Sequence, residues 1–557
     1  MAIIGTRDSV MERVRTTPRA QVLIVGGGIN GLSTLRELAL QGVEVTLVEK
    51  NDYCSGASAA SSHMIHGGIR YLENGEFRLV RESLLERNRL LSTAPHYVKP
   101  LKTTMPIFSV FSGVLSAPVK LLFHRGGKPK ERGALLIKIG LLLYDTFGRN
   151  AGTMPRHEFF GRKRSLRELP AINPEVKFTA HYFDAAIENP ERLALDILGD
   201  ALAQGEHVRA LNYVEASGAT EQGIVLTDTR TGEKIMFGAD LVINAAGPWT
   251  DRANKAFGLP SEYLGGTKGS HIVLDNPELF QACDNREIFF ENSDGRIVLM
   301  YPLLGRVIVG TTDIPLDNPD EAECTEEEVE YFFDLASHVF PNIALDRSQI
   351  VYRYSGVRPL PAAGDVSPGV VSRDYRIVSD RLPTGQRVLS LIGGKWTTFR
   401  ALGEHLANDA LEVLGQRRSV STVGMAIGGG KDFPTDAGSL EHWVTQHRGA
   451  LPEARAGQLL ARYGTIARDL LAHLSDAGDD PLVHIEGFSS QEVLWLVQNE
   501  HVVTLADIVF RRTLLGFTGS IGPQGVQELA QLIAPLMGWS ATDIAREVAA
   551  IRLEQAA

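Results

Sequence analysis

The sequence predicts an α/β protein with a β-rich second domain and a helical C-terminal region, and three observations carry that prediction. Near the start a short apolar strand runs into a glycine-rich turn and an apolar-periodic helix; short β-patterned runs crowd residues 268–313; from about residue 438 the apolar period is helical. The 557 residues are 44% hydrophobic and 22% charged with 55 glycines and 26 prolines, a composition that supports a large core and excludes a disordered or collagen-like chain. The formal charge of −11 argues against non-specific nucleic-acid binding, which needs a net basic field.

Residues 1–19 mix Arg7, Arg13, Arg15 and Arg19 with Asp8 and Glu12 and lack the apolar stretch of a secretory signal, so a loose tail is expected. Residues 21–25 read as a strand, GGGING (26–31) as its turn, and Leu32, Leu35, Leu38 and Leu40 as the apolar stripe of a helix; residues 44–48 form a second strand ending in Glu49. Gly26 permits the tight turn, Gly28 lets backbone approach a pyrophosphate at the helix N-terminus, and Gly31 lets helix pack on strand. Glu49 stands where a carboxylate accepts hydrogen bonds from both ribose hydroxyls and repels a 2′-phosphate, a pattern that favours FAD or NAD over NADP.

Further on, residues 192–203 read as a helix, 207–214 as a strand, and 239–244 as a fully apolar strand ending in AAGPW, which holds Ala246 and Gly247. The runs 270–274, 288–290, 296–301 and 306–309 predict an antiparallel sheet covering a ligand. The longest apolar run, 134–144, is interrupted by Lys138 and falls short of the ~20 residues that cross a bilayer. Helical periodicity over 458–474, 491–515 and 526–536 predicts a C-terminal cap. The expected division is a tail (1–19), a discontinuous nucleotide-binding domain (20–104, 186–262 and 355–425), a substrate domain (105–185 and 263–354) and the cap (426–557). Cys54, Cys283 and Cys324 are too scattered for a disulfide framework or a metal cluster and point to a reducing compartment.

The densest chemistry lies in SSHMIHGGIRYL (61–72), followed by EFRLVRE, and in GGKWTTFR (393–400), which follows an apolar strand and opens a helix whose positive end suits an anionic ligand. With GGGING, KGSHIV (268–273), GTTD (310–313), YSGVRPL (354–360) and SRDY (372–375), the chain resembles the FAD-dependent, quinone-linked glycerol-3-phosphate dehydrogenases. The motifs follow the family's order across most of the chain. His63 departs from it, standing where the family commonly has Lys, and residues 106–131 match poorly.

The resemblance implies a Rossmann-like FAD-binding domain of the glutathione-reductase type, an antiparallel-sheet substrate domain and a C-terminal helical domain. It implies oxidation of sn-glycerol 3-phosphate to dihydroxyacetone phosphate, with FAD taking the hydride and a membrane quinone the electrons. An oxidase passing electrons to oxygen shares these motifs, whereas a non-catalytic dinucleotide-binding regulator leaves the cations unexplained. FAD contacts are expected from Gly26, Gly28, Asn30, Gly31, Glu49, Ser61, Ser62, His66, Gly67, Gly68, Ala246, Gly247, Gly394, Lys395, Thr397 and Thr398.

A phosphate dianion requires converging cations, and Arg offers bidentate geometry that Lys does not; Arg70, Arg358, Arg373 and Lys395 lie in the matched motifs. Arg373 is the expected phosphate anchor, with Lys395 and Tyr71 as helpers. Arg358, read as part of a turn before Pro359, is placed beside the substrate hydroxyl, where a cation stabilises the alkoxide formed as hydride leaves. His271 is the candidate base, with Thr312 and Asp313 orienting it or the substrate and His66 as competitor.

Residues 118–138 carry Lys120, Arg125, Lys128, Lys130, Arg132 and Lys138 against Glu131, among leucines and Phe123. That stretch is expected either to dock peripherally on an anionic membrane surface, on the cytoplasmic face, or to be a solvated loop between core helices. A homodimer is compatible with this reading.

Overall fold

The strand Arg19–Val25 is apolar from Val22 onward and buried on both faces there, the condition for a central strand of a parallel sheet. The computed structural model describes residues 6–72, 75–109, 134–148, 154–291, 297–362 and 373–552. Across the first sheet the order runs Arg376–Arg381, Arg387–Ile392, Lys234–Asn244, Arg19–Val25, Val45–Val48, Val208–Leu211, all parallel except the outermost Arg376–Arg381. Helices Ile29–Ala39, Pro190–Leu202 and Phe399–Val413 build the core on one face. The hairpin Val214–Thr220 and Gly223–Asp228 covers the other. This is the doubly covered α/β layer that the opening strand, turn and helix predict.

Two expectations change here. Residues 7–16 are not a loose tail but a helix, Arg7–Thr16, because Val10, Met11 and Val14 bury a stripe on the hairpin side of the sheet and Arg7 pairs with Asp228 at 2.5 Å. The strand read over 207–214 breaks into Val208–Leu211 and Val214–Thr220, since Tyr213 turns at φ +56 and its N–H donates to Asn51 O.

Among the described residues the second sheet has ten strands, with Thr267–Leu274 between Ile350–Arg358 and Arg306–Gly310, and then Ile297–Leu303, Arg286–Glu291, Val98–Ile107 and Phe178–Ile187. It is antiparallel as expected save for one parallel pair, Arg286–Glu291 beside Val98–Ile107. Those two strands come from widely separated stretches, so no hairpin imposes an antiparallel turn between them. Arg358 is the last residue of a strand paired with Thr267 rather than part of a turn.

The C-terminal region is helical, in two packed clusters. The helix read over 458–474 is two, Glu453–Tyr463 and Ala467–Ala477: Gly464 sits at φ +62 with its backbone wedged against Gly429, a position that admits no side chain. The stretch 491–515 likewise divides into Ser490–Asn499 and a short helical segment ending in a π turn, Ile508–Arg512. Among the described residues no helix is long and apolar enough to cross a membrane. Residues 118–133 of the basic stretch lie outside the described residues; its end enters the helix Ala134–Gly148.

Candidate active site

The carboxyl ends of the parallel strands meet the face of the second sheet, and the sequence-predicted residues gather there in two groups. The first is the glycine-rich turn. Gly26 O occupies the space where a Cβ on Gly31 would stand, so helix Ile29–Ala39 seats directly on the turn. Glu49 is drawn back against it: Oε2 accepts from Gly27 N at 2.7 Å and Oε1 from Asn51 N at 2.9 Å, and burial raises its carboxyl pKa against those two bonds. At the helix N-terminus Ile29 N donates to Ser58 Oγ at 3.0 Å, a residue that sequence reasoning missed because no motif includes it.

The loop 61–68 is stitched to both sheets. Tyr354 and Tyr301 hydroxyls donate to the carbonyls of Ser61 and Ser62, each at 3.0 Å. His66 N donates to Thr397 Oγ1, which donates back to His66 O, both at 3.2 Å, so this loop and the GGKWTTFR turn are held edge to edge. Gly67 N donates to Asp184 Oδ1 at 2.9 Å and Tyr144 Oη at 3.0 Å, and Asp184 is itself paired with buried Arg87 at 2.8 Å. The Asp184, Arg87 and Tyr144 support left no signal in the sequence beyond a helix and a strand. Ala246 N donates to Asn244 Oδ1, and Gly247 turns at φ +57 beside the glycine-rich turn. Among the described residues Asn30 Oδ1 and Thr398 Oγ1 are buried without a hydrogen-bond partner, and the Asn30 amide lies against Gly394. Orphaned polar atoms, a close-packed glycine turn and a buried acid at the second strand's end fit a dinucleotide lying along these loops.

The second group is cationic. Arg358 donates from Nη1 to Thr312 O and Asp313 Oδ1, both at 3.1 Å, and from Nη2 to Thr311 Oγ1 at 3.0 Å. Arg373 reaches the other oxygen of Asp313 at 3.1 Å. Burial alone would raise the Asp313 carboxyl pKa; the two guanidinium groups hold it below its ordinary value. Arg358 lies over the backbone of Gly269, where any side chain would collide with it.

Lys395 Nζ donates to Ser83 Oγ at 2.8 Å and stands 4.6 Å over the Tyr71 ring. Burial, helped by Arg373 and opposed by Glu82, Glu76 and Asp374, brings its pKa down to about 8. The backbone of Arg70 lies in the short helical turn Ile69–Leu72, and its side chain is outside the described residues.

His271 is fully buried on Thr267–Leu274, stacked on Tyr354 at 4.8 Å, with Nε2 2.7 Å from Ser62 Oγ and Nδ1 without a partner among the described residues. Burial first, and the Arg358 charge second, put its pKa well below the ordinary imidazole value, so it is neutral at neutral pH. His66 is lowered as well, to about 4, by burial and then Lys395.

The Thr312 side chain is engaged by Glu328 and the strand backbone. Its hydroxyl donates to Glu328 Oε1 at 2.6 Å and accepts from Ser270 N at 3.0 Å, and Glu328 also pairs with Lys268 at 2.8 Å. Glu328, missed in the sequence, caps its own helix and braces the strand that carries His271. Its only sequence signal was the Thr-x-x-Glu spacing of a capping box.

Residues 21–407 match the family described as FAD dependent oxidoreductase, and residues 420–544 match the C-terminal domain of alpha-glycerophosphate oxidase. A protein of Synechocystis sp. named glycerol-3-phosphate dehydrogenase is 33% identical, with 93% of each chain covered. One from Brucella abortus named D-erythritol 1-phosphate dehydrogenase is 31% identical over 88% of this chain and 93% of its own. Among solved structures, the glycerol-3-phosphate dehydrogenase from Bacillus halodurans complexed with FAD shares the fold, with a TM-score of 0.75 at 23% identity, covering 99% of this chain and 97% of that one.

Proposed function

The chain belongs to the FAD-dependent oxidoreductases that carry the α-glycerophosphate oxidase C-terminal domain, and we propose that it oxidises sn-glycerol 3-phosphate to dihydroxyacetone phosphate, with a membrane quinone as final acceptor. Bound FAD supplies the two-electron hydride acceptor. The observation that carries the reading is the convergence of Arg358, Arg373 and Lys395 around Asp313 and Tyr71, with buried His271 in the field of the Arg358 charge.

Arg373 and Lys395 bind the phosphate, and Tyr71 lies flat under the ammonium. Arg358, whose guanidinium orientation is fixed by Asp313, Thr311 and the Thr312 carbonyl, stabilises the oxygen anion as the C2 hydrogen departs. His271, uncharged at neutral pH, takes the hydroxyl proton. Gly26, Gly28, Gly31 and Glu49 would hold the pyrophosphate and ribose, and Asn30, Gly394 and Thr398 would line the buried end where unmatched polar atoms remain.

Anaerobic addition of sn-glycerol 3-phosphate to the purified yellow protein tests the reading: the flavin absorbance should bleach within the turnover time. D-erythritol 1-phosphate in the same assay sets the preferred polyol phosphate, and a flavin that neither compound bleaches refutes the activity. Turnover with a quinone analogue but no peroxide from oxygen separates the quinone-linked reading from the oxidase.

Membrane contact is supported by the helix Ala134–Gly148, which turns Tyr144 and Leu141 inward and leaves Leu135, Ile139, Leu142 and Leu143 exposed at 43–52%. Phe77 and Leu85 are exposed on the helix Phe77–Thr93, which packs against it. On this reading the apolar side chains of the helix would enter the acyl boundary of a membrane on which the protein sits peripherally, on the cytoplasmic face. Ile139→Glu with Leu142→Glu should weaken sedimentation with anionic liposomes and quinone-dependent turnover while sparing turnover with a soluble dye; unchanged sedimentation places the contact elsewhere.

A further inference from the structure

The segment after Glu49, where the second parallel strand ends, is not held by its own domain alone. Asp52 is fully buried and receives four hydrogen bonds: Arg512 Nη1 at 2.5 Å and Nη2 at 3.0 Å, Arg511 Nε at 2.8 Å and Asn212 Nδ2 at 2.9 Å. Both arginines come from the C-terminal domain, from the π turn Ile508–Arg512, which closes with Thr513 N donating to Ile508 O. Such turns tend to mark functional positions in helices, and this one presents two consecutive guanidinium groups to a single carboxylate.

The neighbouring contacts follow the same plan. Tyr53 Oη lies 3.1 Å from His501 Nδ1, and the Tyr213 hydroxyl donates to Asp507 Oδ1 at 2.7 Å. Asn212 Nδ2 donates to both Asp52 and the His501 carbonyl. Thus the loops at the carboxyl ends of Val45–Val48 and Val208–Leu211, the adenosine end of the crevice in this fold, are both tied to residues 501–513.

The tie extends to the glycine-rich turn. Cys54 N donates to Gly27 O at 2.9 Å, and the Tyr53 ring and the Glu49 Cβ lie close enough to Gly27 to exclude any side chain there. Displacing Asp52 therefore displaces Tyr53, the Gly27 backbone and the carboxylate bonded to its N–H.

We propose that Asp52 is a positioning residue through which the C-terminal domain clamps the adenosine half of the FAD site, so that cofactor retention depends on the Asp52–Arg511–Arg512 cluster. This rests on the FAD reading above. A buried ion cluster is a costly way to join two domains compared with apolar packing, and its directional bonds serve to fix one register of the loop.

The test measures release of FAD from holoprotein by the recovery of flavin fluorescence, with thermal unfolding in parallel. Asp52→Asn should speed release by about tenfold or more, and the milder Arg511→Gln, at a partly exposed guanidinium, by a smaller factor. The KM for substrate in the FAD-saturated enzyme should not move. Glu492→Gln is the control: it breaks a comparable buried cluster with Arg455 and Tyr463 inside the C-terminal domain, away from the crevice, and should lower thermal stability without altering release.

Should Asp52→Asn fail to fold, Arg511→Gln decides the matter alone. Release within twofold of the parent in the soluble variants, or equal acceleration by Glu492→Gln, overturns the clamp. Absence of flavin from the parent protein overturns the FAD reading instead.

Discussion

Replacing Arg373 by Ala removes one guanidinium from the pair that shares Asp313 and leaves Arg358 as the cation paired with that carboxylate among the described residues. The Arg373 side chain is 18% exposed, so a hydrogen bond it makes to a phosphate is little screened by water. A charge-assisted bond of this kind is worth about 1.5–3 kcal/mol, which predicts a roughly 10- to 150-fold fall in kcat/KM for sn-glycerol 3-phosphate, carried mainly by KM. Glycerol lacks the phosphate and should keep its feeble turnover. Steady-state rates with a soluble dye acceptor, taken for both substrates on parent and variant, give the comparison directly. If both substrates lose the same factor, Arg373 acts by orienting Arg358 through Asp313 and is not a phosphate ligand.

Three further outcomes are expected. Gly31→Ala places a methyl group on the Gly26 carbonyl and should yield protein lacking the yellow flavin band; full FAD content in the variant would contradict the close packing. Because Lys395 loses its proton near pH 8, the KM for the phosphorylated substrate should climb as pH rises through that value, and Lys395→Arg should flatten the climb; a flat parent profile from pH 7 to 9.5 (roughly the range spanning the transition) removes Lys395 from phosphate binding. Glu287 is buried and accepts from Thr103 Oγ1 at 2.6 Å, and burial lifts its carboxyl from 4.5 to about 8 against that bond. The folded state thus holds this proton while the unfolded state releases it, so stability falls as pH rises from the lower value to the higher. Glu287→Gln should recover about 3 kcal/mol at pH 7 and little at pH 4, seen as a thermal-midpoint gain that grows with pH; equal gains at both pH values would refute the buried-acid account.

What was legible in the sequence is what local chemistry controls. The strand, glycine turn and helix over residues 19–39 follow from a continuous apolar run, three glycines and a leucine period, all read within one short window. Glu49 was found because its spacing from the turn is set by one helix and one strand. The helical character of the C-terminal region was equally plain, but not its breaks: Gly464 ends a helix because Gly429, far off in sequence and packed against it, leaves no room for a side chain. The N-terminal helix escaped for the same reason, since its sparse stripe of Val10, Met11 and Val14 gains meaning only against the sheet it covers.

At the site, the residue types were readable as a set of cations with a histidine, and their arrangement was not. Arg358 and Arg373 meet on Asp313, and Lys395 stands over Tyr71, because strands and turns from separate stretches converge at one sheet edge. Thr312, expected to face His271 or the substrate, points instead to Glu328, whose partner is chosen by the packing of a helix on the sheet. The protonation states of His271 and Lys395 belong to the same class of fact. Side-chain identity sets a starting pKa, but burial and neighbouring charge move it, and both exist only once distant segments have packed together.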